Sequence, residues 1–211
     1  HSVAVDHPDY VQIHPTVLYT NGRGRRFLIS ESVRGEGAQL IDASGERFVD
    51  ELLPRDVVTA AIRKKMQQEG SEFVRLDMRK AGNGQSLEKR FPSIVKRCRE
   101  EGYDVMKEPI PVVPAQHYFM GGVRSDLCGR TTMNRLYAVG ETCCNGVHGK
   151  NRLASNSLLE SLVFAQRAAE DIAQSDGAFE ETQIDWSAYA DIRALQKNYR
   201  KQVTKEINRE E

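Results

Sequence analysis

The sequence predicts an α+β fold, and three observations support that prediction. Short apolar runs of strand type dominate the first fifty residues; the stretches 55–69 and 86–101 place apolar residues at helical spacing; and two further strand-type runs precede a long helical pattern that starts at residue 157. A chain of 211 residues can bury a real core, so a disordered tail is excluded.

The front of the chain is rich in predicted strands. Residues 10–13 and 27–29 are short apolar runs, and the segment 21–24 between them has the Asn and Gly composition of a turn. The segment 39–49 predicts a β-hairpin whose turn lies at Ser44-Gly45. The first fifty residues are therefore expected to be mainly β structure.

Two helices and one strand are predicted next. Residues 55–69 place apolar side chains on one helical face, and Gly70 follows as a stop. Residues 86–101 repeat the helical pattern and predict a single helix up to a glycine at position 102. The segment 73–78 between them alternates like a half-buried strand, so this region is expected to mix helix and sheet.

The following segment predicts two buried strands and one long helix. The strands are expected over 112–119 and 136–139. The helix is expected to begin at Ser157, because Ser157 and Glu160 fit the capping-box pattern, and to end near Ala173. The apolar face expected of this helix comprises Leu158, Leu162, Ala165 and Ala169.

A domain boundary is expected in the polar segment 175–184. Beyond it, apolar residues from Tyr189 to Ile207 recur at helical spacing in an otherwise charged segment. One amphipathic helix cannot bury such a stripe alone, so it is expected to pack on a partner helix or on the preceding domain.

Composition limits the classes of function. Thirty basic and thirty acidic residues give a formal charge of zero and a pI of about 7.1, whereas nucleic-acid binding usually leaves a basic stripe. No apolar run approaches the ~18–20 residues that span a bilayer, and no signal peptide is visible. Four cysteines without a CxxC pair indicate reduced thiols and no metal site. A cytoplasmic protein that binds neither nucleic acid nor membranes is expected.

The strongest local signal for a binding site lies at 147–160. A glycine-containing loop brings a His, an Asn, an Arg and two Ser onto a helix start, whose free N–H groups and positive dipole end favour an anion. This pattern predicts an anion site that contains Arg152. The alternative is a heavily capped helix with an incidental arginine.

Several polar residues outside that loop are further candidates. Spacing alone favours a structural turn at His14 before Pro15. It leaves His117 open as a core or a functional histidine, and Glu31 with Arg34 open as a solvated charge run or a functional pair. Guanidinium groups match carboxylates bidentately, so these residues together favour a clamp for a small dicarboxylate. The clamp would comprise Arg55, Arg152, His14 and His117, with hydroxyls from Thr16 and Ser30.

Six motifs in this order resemble the succinate dehydrogenase and fumarate reductase flavoprotein family over residues 8–173. The motifs are 12–16 (Gln-Ile-His-Pro-Thr), Glu31 with 34–37 (Arg-Gly-Glu-Gly), 54–56 (Pro-Arg-Asp), 114–118 (Pro-Ala-Gln-His-Tyr), 137–141 (Tyr-Ala-Val-Gly-Glu) and 151–160 (Asn-Arg-Leu-Ala-Ser-Asn-Ser-Leu-Leu-Glu). The Arg-Leu-Ala-Ser form of the last motif resembles the branch of the family that oxidises L-aspartate more than the branch that oxidises succinate.

The resemblance implies FAD-dependent oxidation of a dicarboxylate and assigns roles to the candidates. Arg55 would be the proton donor or acceptor, with Glu31 and Arg34 as its relay. Arginine stays protonated in proteins, so such a role needs a concerted relay rather than a neutral guanidine. The substrate carboxylates would be held by His14, Ser30, His117 and Arg152, with Thr16 as a weaker candidate and Ser30 standing where many relatives carry Thr.

The resemblance also places FAD against this chain. Glu141 would bind a ribose hydroxyl, and the helix start at Asn156, Ser157 and Leu158 would present backbone N–H groups to the pyrimidine edge of the isoalloxazine. The family's GxGxxG unit does not occur in this sequence. The chain is therefore expected to be a C-terminal fragment that lacks the N-terminal dinucleotide-binding unit and contains only part of the FAD site.

The family's domain order gives the expected layout. Residues 1–10 would end a first FAD-domain segment, 11–117 form the capping domain over the substrate, 118–175 return to the FAD domain, and 184–211 begin a helical domain. The implied reaction converts L-aspartate to iminoaspartate with oxygen or fumarate as acceptor, the first step of de novo NAD synthesis, with quinolinate synthase as a pathway partner. The alternatives are a succinate dehydrogenase or fumarate reductase subunit, and an inert cap or helical module without FAD.

Overall fold

The computed structural model describes residues 3–21, 25–175 and 186–207, and the chain divides into two compact units between residues 174 and 175. The strands of the described residues are β1 (Val5–Asp6), β2 (Val11–Leu18), β3 (Gln39–Ile41), β4 (Val74–Asp77), β5 (Ile110–Phe119), β6 (Gly122–Arg124) and β7 (Cys143–Cys144). The helices are α1 (Glu31–Gly35), α2 (Arg55–Glu69), α3 (Leu87–Arg90), α4 (Pro92–Glu100), α5 (Asn156–Gln174) and α6 (Ile192–Ile207). The mixture of helix and sheet agrees with the predicted α+β class.

A four-stranded antiparallel sheet with the order β2-β5-β4-β3 forms the frame of the first unit. β2 runs through Pro15, so the alternative of a turn at 14–16 is wrong. The pairing of β2 with β5 shifts at two places, and one extra residue is accommodated at each shift. One shift leaves His117 of β5 unpaired, and the other follows His14 of β2. Such bulges redirect side chains beside functional sites.

The hydrophobic core lies between this sheet and the helices α1 to α4. Val58 and Ile62 of α2 are fully buried in it, and α2 has the predicted bounds. The helix ends at Gly70, which adopts the left-handed conformation (φ +60°) that glycine reaches without steric cost. The predicted strand at 73–78 is also present as β4, with alternating burial.

The single helix predicted over 86–101 is wrong in one respect, because the structure has two helices that meet at Phe91. The ring of Pro92 disfavours the helical conformation of the residue before it, and Phe91 has φ −130° and ψ 55°. The predicted apolar face is nevertheless retained. Its buried members are Leu87, Phe91, Ile94, Val95 and Cys98.

Three predicted strand segments are reduced to single bridges. Leu28 of the run 27–29 pairs only with Val17, and the second arm of the predicted hairpin pairs only at Arg47. The segment 136–139 is not a strand, since Tyr137 alone bridges to Arg130. These runs therefore add single bridges to the structure instead of full strands.

The second sheet has the order β1-β6-β7, and α5 follows it in the chain. α5 begins at Asn156, one residue earlier than predicted, so Ser157 lies inside its first turn and the capping box is wrong. The predicted apolar face is also wrong, because Leu158 and Leu162 are more than 70% exposed. The buried side of α5 consists of Glu160, Phe164 and Ala168.

The second unit contains α6, which agrees with the predicted helical stripe over Ile192–Ile207. Tyr189, at the start of that stripe, lies in a short 3-10 turn before the helix. The predicted turn at 22–24 and most of the predicted linker, 176–185, lie outside the described residues. Among the helices described, none combines the length and the apolar character needed to cross a bilayer.

Candidate active site

The predicted substrate residues come from four neighbouring elements of the first unit. His14 lies in β2, His117 in β5, Arg55 at the first position of α2, and Arg152 in the loop before α5. Arg55 lowers the pKa of both histidines, and Arg152 lowers the pKa of His117. The sheet and its bulges thus bring together residues that are 138 positions apart in the chain.

His14 is a neutral hydrogen-bond donor. Its side chain is 1% exposed, and burial together with Arg55 and Arg34 lowers its pKa to about 2. The backbone N–H of Thr16 donates to Nδ1 at 3.2 Å, so the ring proton resides on Nε2. Nε2 is buried and has no partner among the described residues. An unpaired buried donor is costly, and a substrate carboxylate oxygen would satisfy it.

His117 lies beside His14, and the two rings meet edge to face with their centroids 5.3 Å apart. Burial lowers the pKa of His117, and the charges of Arg55 and Arg152 lower it further. Both imidazoles therefore favour the neutral form next to a group of cations. Neutral donors of this kind can bind a carboxylate without adding to the repulsion among the arginines.

Arg55, Glu31 and Arg34 form a continuous charged group. Arg55 donates from Nε (2.8 Å) and from Nη2 to the same carboxylate oxygen of Glu31, and Nη2 of Arg34 lies 4.0 Å from that oxygen. Arg34 is buried, and burial lowers its pKa. Its Nη1 donates to the carbonyl of Glu51, while its Nε and Nη2 have no hydrogen-bond partner among the described residues.

Gln12 links the two arginines predicted to act on the substrate, and the sequence reasoning assigned it no role. Arg55 Nη1 donates to Gln12 Oε1 (2.9 Å), and Gln12 Nε2 donates to the carbonyl of Arg152 (2.7 Å) and to Asn151 Oδ1 (3.1 Å). One signal could have identified it. Residues two apart in a strand share a face, and Gln12 stands two positions before His14.

Arg152 is 4% exposed and is held by weak contacts. Its Nη1 donates to the carbonyl of Leu153 (3.1 Å), its Nε has no partner among the described residues, and its guanidinium carbon lies 4.6 Å from the ring centre of Tyr118. Burial lowers the pKa of Arg152, and the neighbouring Arg55 adds to the effect. Buried guanidiniums without a carboxylate partner are the groups expected to bind a dianion.

The two predicted hydroxyl groups have protein partners in this structure. Thr16 is fully buried, and its Oγ1 donates to the carbonyl of Ile29 at 3.3 Å. Ser30 is the N-cap of α1, where its Oγ accepts from the N–H of Ser32 and lies 2.8 Å from the Ser32 hydroxyl. Ser30 immediately precedes Glu31, so it remains adjacent to the charged group.

The predicted FAD contacts lie around the start of α5. Glu141 is exposed, and its carboxylate accepts from the N–H of Phe119 at 3.0 Å. Gly140 has φ +70°, and a Cβ at this position would come within 3.1 Å of Ser161 Oγ, so this backbone packs directly on α5. Glu141 therefore lies beside the first turns of the helix, whose leading N–H groups have no acceptor within the helix.

That arrangement fits the cofactor implied by the sequence. Asn156 and Ser157 are half-buried and Leu158 is 73% exposed at the helix start, and the exposed Glu141 follows Gly140, which packs on Ser161 of the same helix. A helix N-terminus suits the electron-rich edge of a flavin, and a carboxylate suits a ribose hydroxyl.

The fold and this site define a class of protein. The chain belongs to the FAD binding domain family, whose model matches residues 1–158. It is 58% identical over 164 residues to the L-aspartate oxidase of Clostridium perfringens, an alignment that covers 77% of this chain and 37% of that protein. It is 52% identical over 178 residues to the L-aspartate oxidase of Streptomyces coelicolor, covering 81% of this chain and 30% of that protein.

Solved structures of related flavoproteins have the same fold. A variant of the E. coli quinol fumarate reductase matches with a TM-score of 0.77 and 33% identity over 93% of this chain and 37% of that chain. The Sdh1 complex of Mycobacterium smegmatis matches with a TM-score of 0.65 and 30% identity over 92% of this chain and 34% of that chain. The chain spans well under half of the length of the relatives that it matches.

Proposed function

We propose that the protein carrying this chain is an FAD-dependent oxidoreductase that oxidises L-aspartate to iminoaspartate, with oxygen or fumarate as the electron acceptor. The observation that carries the proposal is the group of two neutral histidines, Arg55 and Arg152 around one region of the sheet. The high identity to proteins named L-aspartate oxidase supports the choice of substrate.

The chain's own residues account for dicarboxylate binding. Arg152 would receive one carboxylate through the guanidinium nitrogens that Leu153 does not occupy. His14 Nε2 and His117 would donate to a substrate carboxylate, and Ser30 remains a proposed contact at the start of α1. Binding would satisfy buried polar atoms that are otherwise unpaired, which favours a dianion over a neutral ligand.

Proton transfer is assigned to Arg55. It is held by Glu31 and Gln12 and so has a defined orientation. In the concerted step that a protonated guanidinium requires, Arg55 takes the substrate proton while it passes one to Glu31, and Arg34 stabilises the relay. FAD, when bound, supplies the hydride acceptor.

The residues proposed to hold FAD are those around the start of α5. Glu141 would accept from a ribose hydroxyl, and the N–H groups of Ser157 and Leu158, next to Asn156, would face the pyrimidine edge. The helix dipole favours negative charge at this end, which stabilises a reduced flavin. We further propose the layout of residues 11–117 as the cap and 118–175 as the returning FAD segment.

A second candidate is oxidation of succinate or reduction of fumarate, because the solved relatives include a quinol fumarate reductase. The two are separated by loading the full-length gene product with FAD and adding L-aspartate or succinate without oxygen. We expect L-aspartate to bleach the visible flavin band and succinate to leave it. Bleaching by succinate alone would establish the second candidate, and an Arg55→Leu variant serves as the inactive control.

The remaining expectations are parts of the same proposal. They comprise a cytoplasmic location, a place in NAD synthesis and quinolinate synthase as the pathway partner that consumes the product. A purified sample of the 211-residue chain tests the inert-module alternative. Co-purification of yellow flavin with the chain would contradict that alternative.

A further inference from the structure

A group of three buried side chains, one of which contacts Arg152, has no part in the proposed reaction. It consists of Glu160 near the start of α5, His148 in the loop before that helix, and Tyr118 in β5. The side chains of Glu160 and His148 are 3% and 7% exposed, and Tyr118 is 7% exposed. Two ionisable groups and a phenol thus lie out of water next to the proposed substrate cation.

Tyr118 is held between Arg152 and His148. The Arg152 guanidinium lies over one face of the Tyr118 ring at 4.6 Å, which is a cation–π distance. The His148 ring meets Tyr118 edge to face, with centroids 5.6 Å apart and planes at 85°. His148 therefore limits rotation of the ring on which the guanidinium rests.

Glu160 in turn lies beside His148, within ion-pair distance but beyond hydrogen-bond distance, and neither nitrogen of His148 has a hydrogen-bond partner among the described residues. Glu160 Oε2 lies 3.8 Å from His148 Nε2, and Glu160 Oε1 accepts from Asn145 Nδ2 at 2.7 Å and from the Cys143 thiol. A buried carboxylate is costly, and an apolar side chain at this position of α5 would avoid that cost. The carboxylate is better explained by what it holds in place than by its contribution to stability.

We propose that Glu160 and His148 are positioning residues that hold Tyr118 under Arg152 and so orient the guanidinium for a substrate carboxylate. The inference rests on the proposed function, because it takes Arg152 as the carboxylate ligand. Bidentate recognition depends on the plane of the guanidinium, and the Arg152 contact to Leu153 (3.1 Å) alone does not define that plane.

The sign of the effect separates positioning from simple electrostatics. Replacing Glu160 by Gln removes a negative charge near a cationic site, so a through-space effect would strengthen binding of a dianion. Loss of positioning would weaken binding. The Gln side chain keeps an acceptor for Asn145, so the change is directed at the contact with His148.

The test measures the dissociation constant of malonate, a dicarboxylate that cannot be oxidised here because it has neither an amino group nor two adjacent CH2 groups. Calorimetry on the FAD-loaded full-length protein is expected to show that His148→Ala and Glu160→Gln each raise this Kd by about tenfold. The KM for L-aspartate should rise in proportion while kcat changes little, because Arg55 is untouched. If His148→Ala fails to fold, the malonate Kd of Glu160→Gln alone tests the proposal.

Two controls separate positioning from a general loss of structure. Phe164→Leu changes a residue buried on the same side of α5, one turn beyond Glu160, and should lower the melting temperature without changing the Kd. Tyr118→Leu removes the aromatic ring under the guanidinium and should bind malonate as weakly as His148→Ala. The double variant of His148→Ala and Tyr118→Leu should show no further loss.

Each outcome decides the question. A Kd that is unchanged or lower in Glu160→Gln, or equally raised in Phe164→Leu, would overturn the positioning role and leave the proposed function intact. A wild-type protein that binds no malonate would overturn both, whereas bleaching by succinate rather than L-aspartate would change the proposed substrate alone.

Discussion

A single carboxylate oxygen of Glu31 accepts hydrogen bonds from Nε (2.8 Å) and Nη2 of Arg55, which joins the start of α1 to the start of α2. The two residues are 24 positions apart. The guanidinium that would meet the substrate is therefore already coupled to a group that can accept its proton, and Arg34 lies 4.0 Å from the same oxygen.

Replacement of Glu31 by Gln should lower the rate of flavin reduction by L-aspartate by about 10²-fold, because the relay loses its proton acceptor. The KM should change little, since Glu31 does not contact the substrate in the proposal. Anaerobic stopped-flow measurement of flavin absorbance gives the rate. Glu36→Gln is the matched control, because Glu36 pairs with Arg90 outside the site, and an equal loss in that variant would contradict the relay.

Arg152 and Arg55 should differ in the parameter that they affect. Arg152→Leu should mainly raise the KM for the dicarboxylate, because it removes a binding cation, whereas Arg55→Leu should mainly lower kcat. Steady-state kinetics over a range of L-aspartate concentrations separates the two parameters. Similar changes of both parameters in both variants would show that the assigned roles are wrong.

The neutral state of His14 should make the free energy of unfolding depend on pH. Its pKa is about 2 in the folded chain against an ordinary value of 6.5, so below pH 6.5 the unfolded chain binds a proton that the folded chain does not. Its contribution to stability is complete above pH 6.5 and decreases on acidification, by at most about 1.4 kcal/mol per pH unit.

Urea unfolding at several pH values on both sides of 6.5 measures this dependence. The His14→Gln variant should lose stability less steeply on acidification than the wild type. His7→Gln, at an exposed position of the same unit, is the matched control. A slope that is identical in the wild type and in His14→Gln would exclude the buried neutral imidazole.

Glu51 should be important for stability, although it lies outside the proposed reaction. Its buried carboxylate accepts from the N–H of Leu40 (2.7 Å) and from Arg47 Nε (3.0 Å). Glu51→Ala should cost about 2–3 kcal/mol, because a buried N–H loses its acceptor. Denaturant unfolding compares it with Asp50→Ala, an exposed neighbour that should cost about 0.5 kcal/mol or less. Equal costs would contradict this account.

Local sequence signals were reliable where local physics decides the structure. The bounds of α2 were predicted because apolar periodicity and a terminal Gly70 act within the helix itself. The same reasoning failed at α5, where Ser157 and Glu160 imitate a capping box. There Asn145 Nδ2 donates to the Glu160 carboxylate at 2.7 Å, so this side chain makes a tertiary contact instead of the local one.

The candidate site likewise has features that the sequence predicts and features that only tertiary contacts decide. The sequence by itself determined the α+β class, the motif order and the polar residues His14, Glu31, Arg55, His117 and Arg152 as candidates, because these depend on residue type and spacing. Only the tertiary structure decided that bulges place the two histidines together, that Gln12 joins the two arginines, and that Tyr118 lies under Arg152. Those relationships depend on strand register and on contacts between distant segments, which spacing along one chain does not specify.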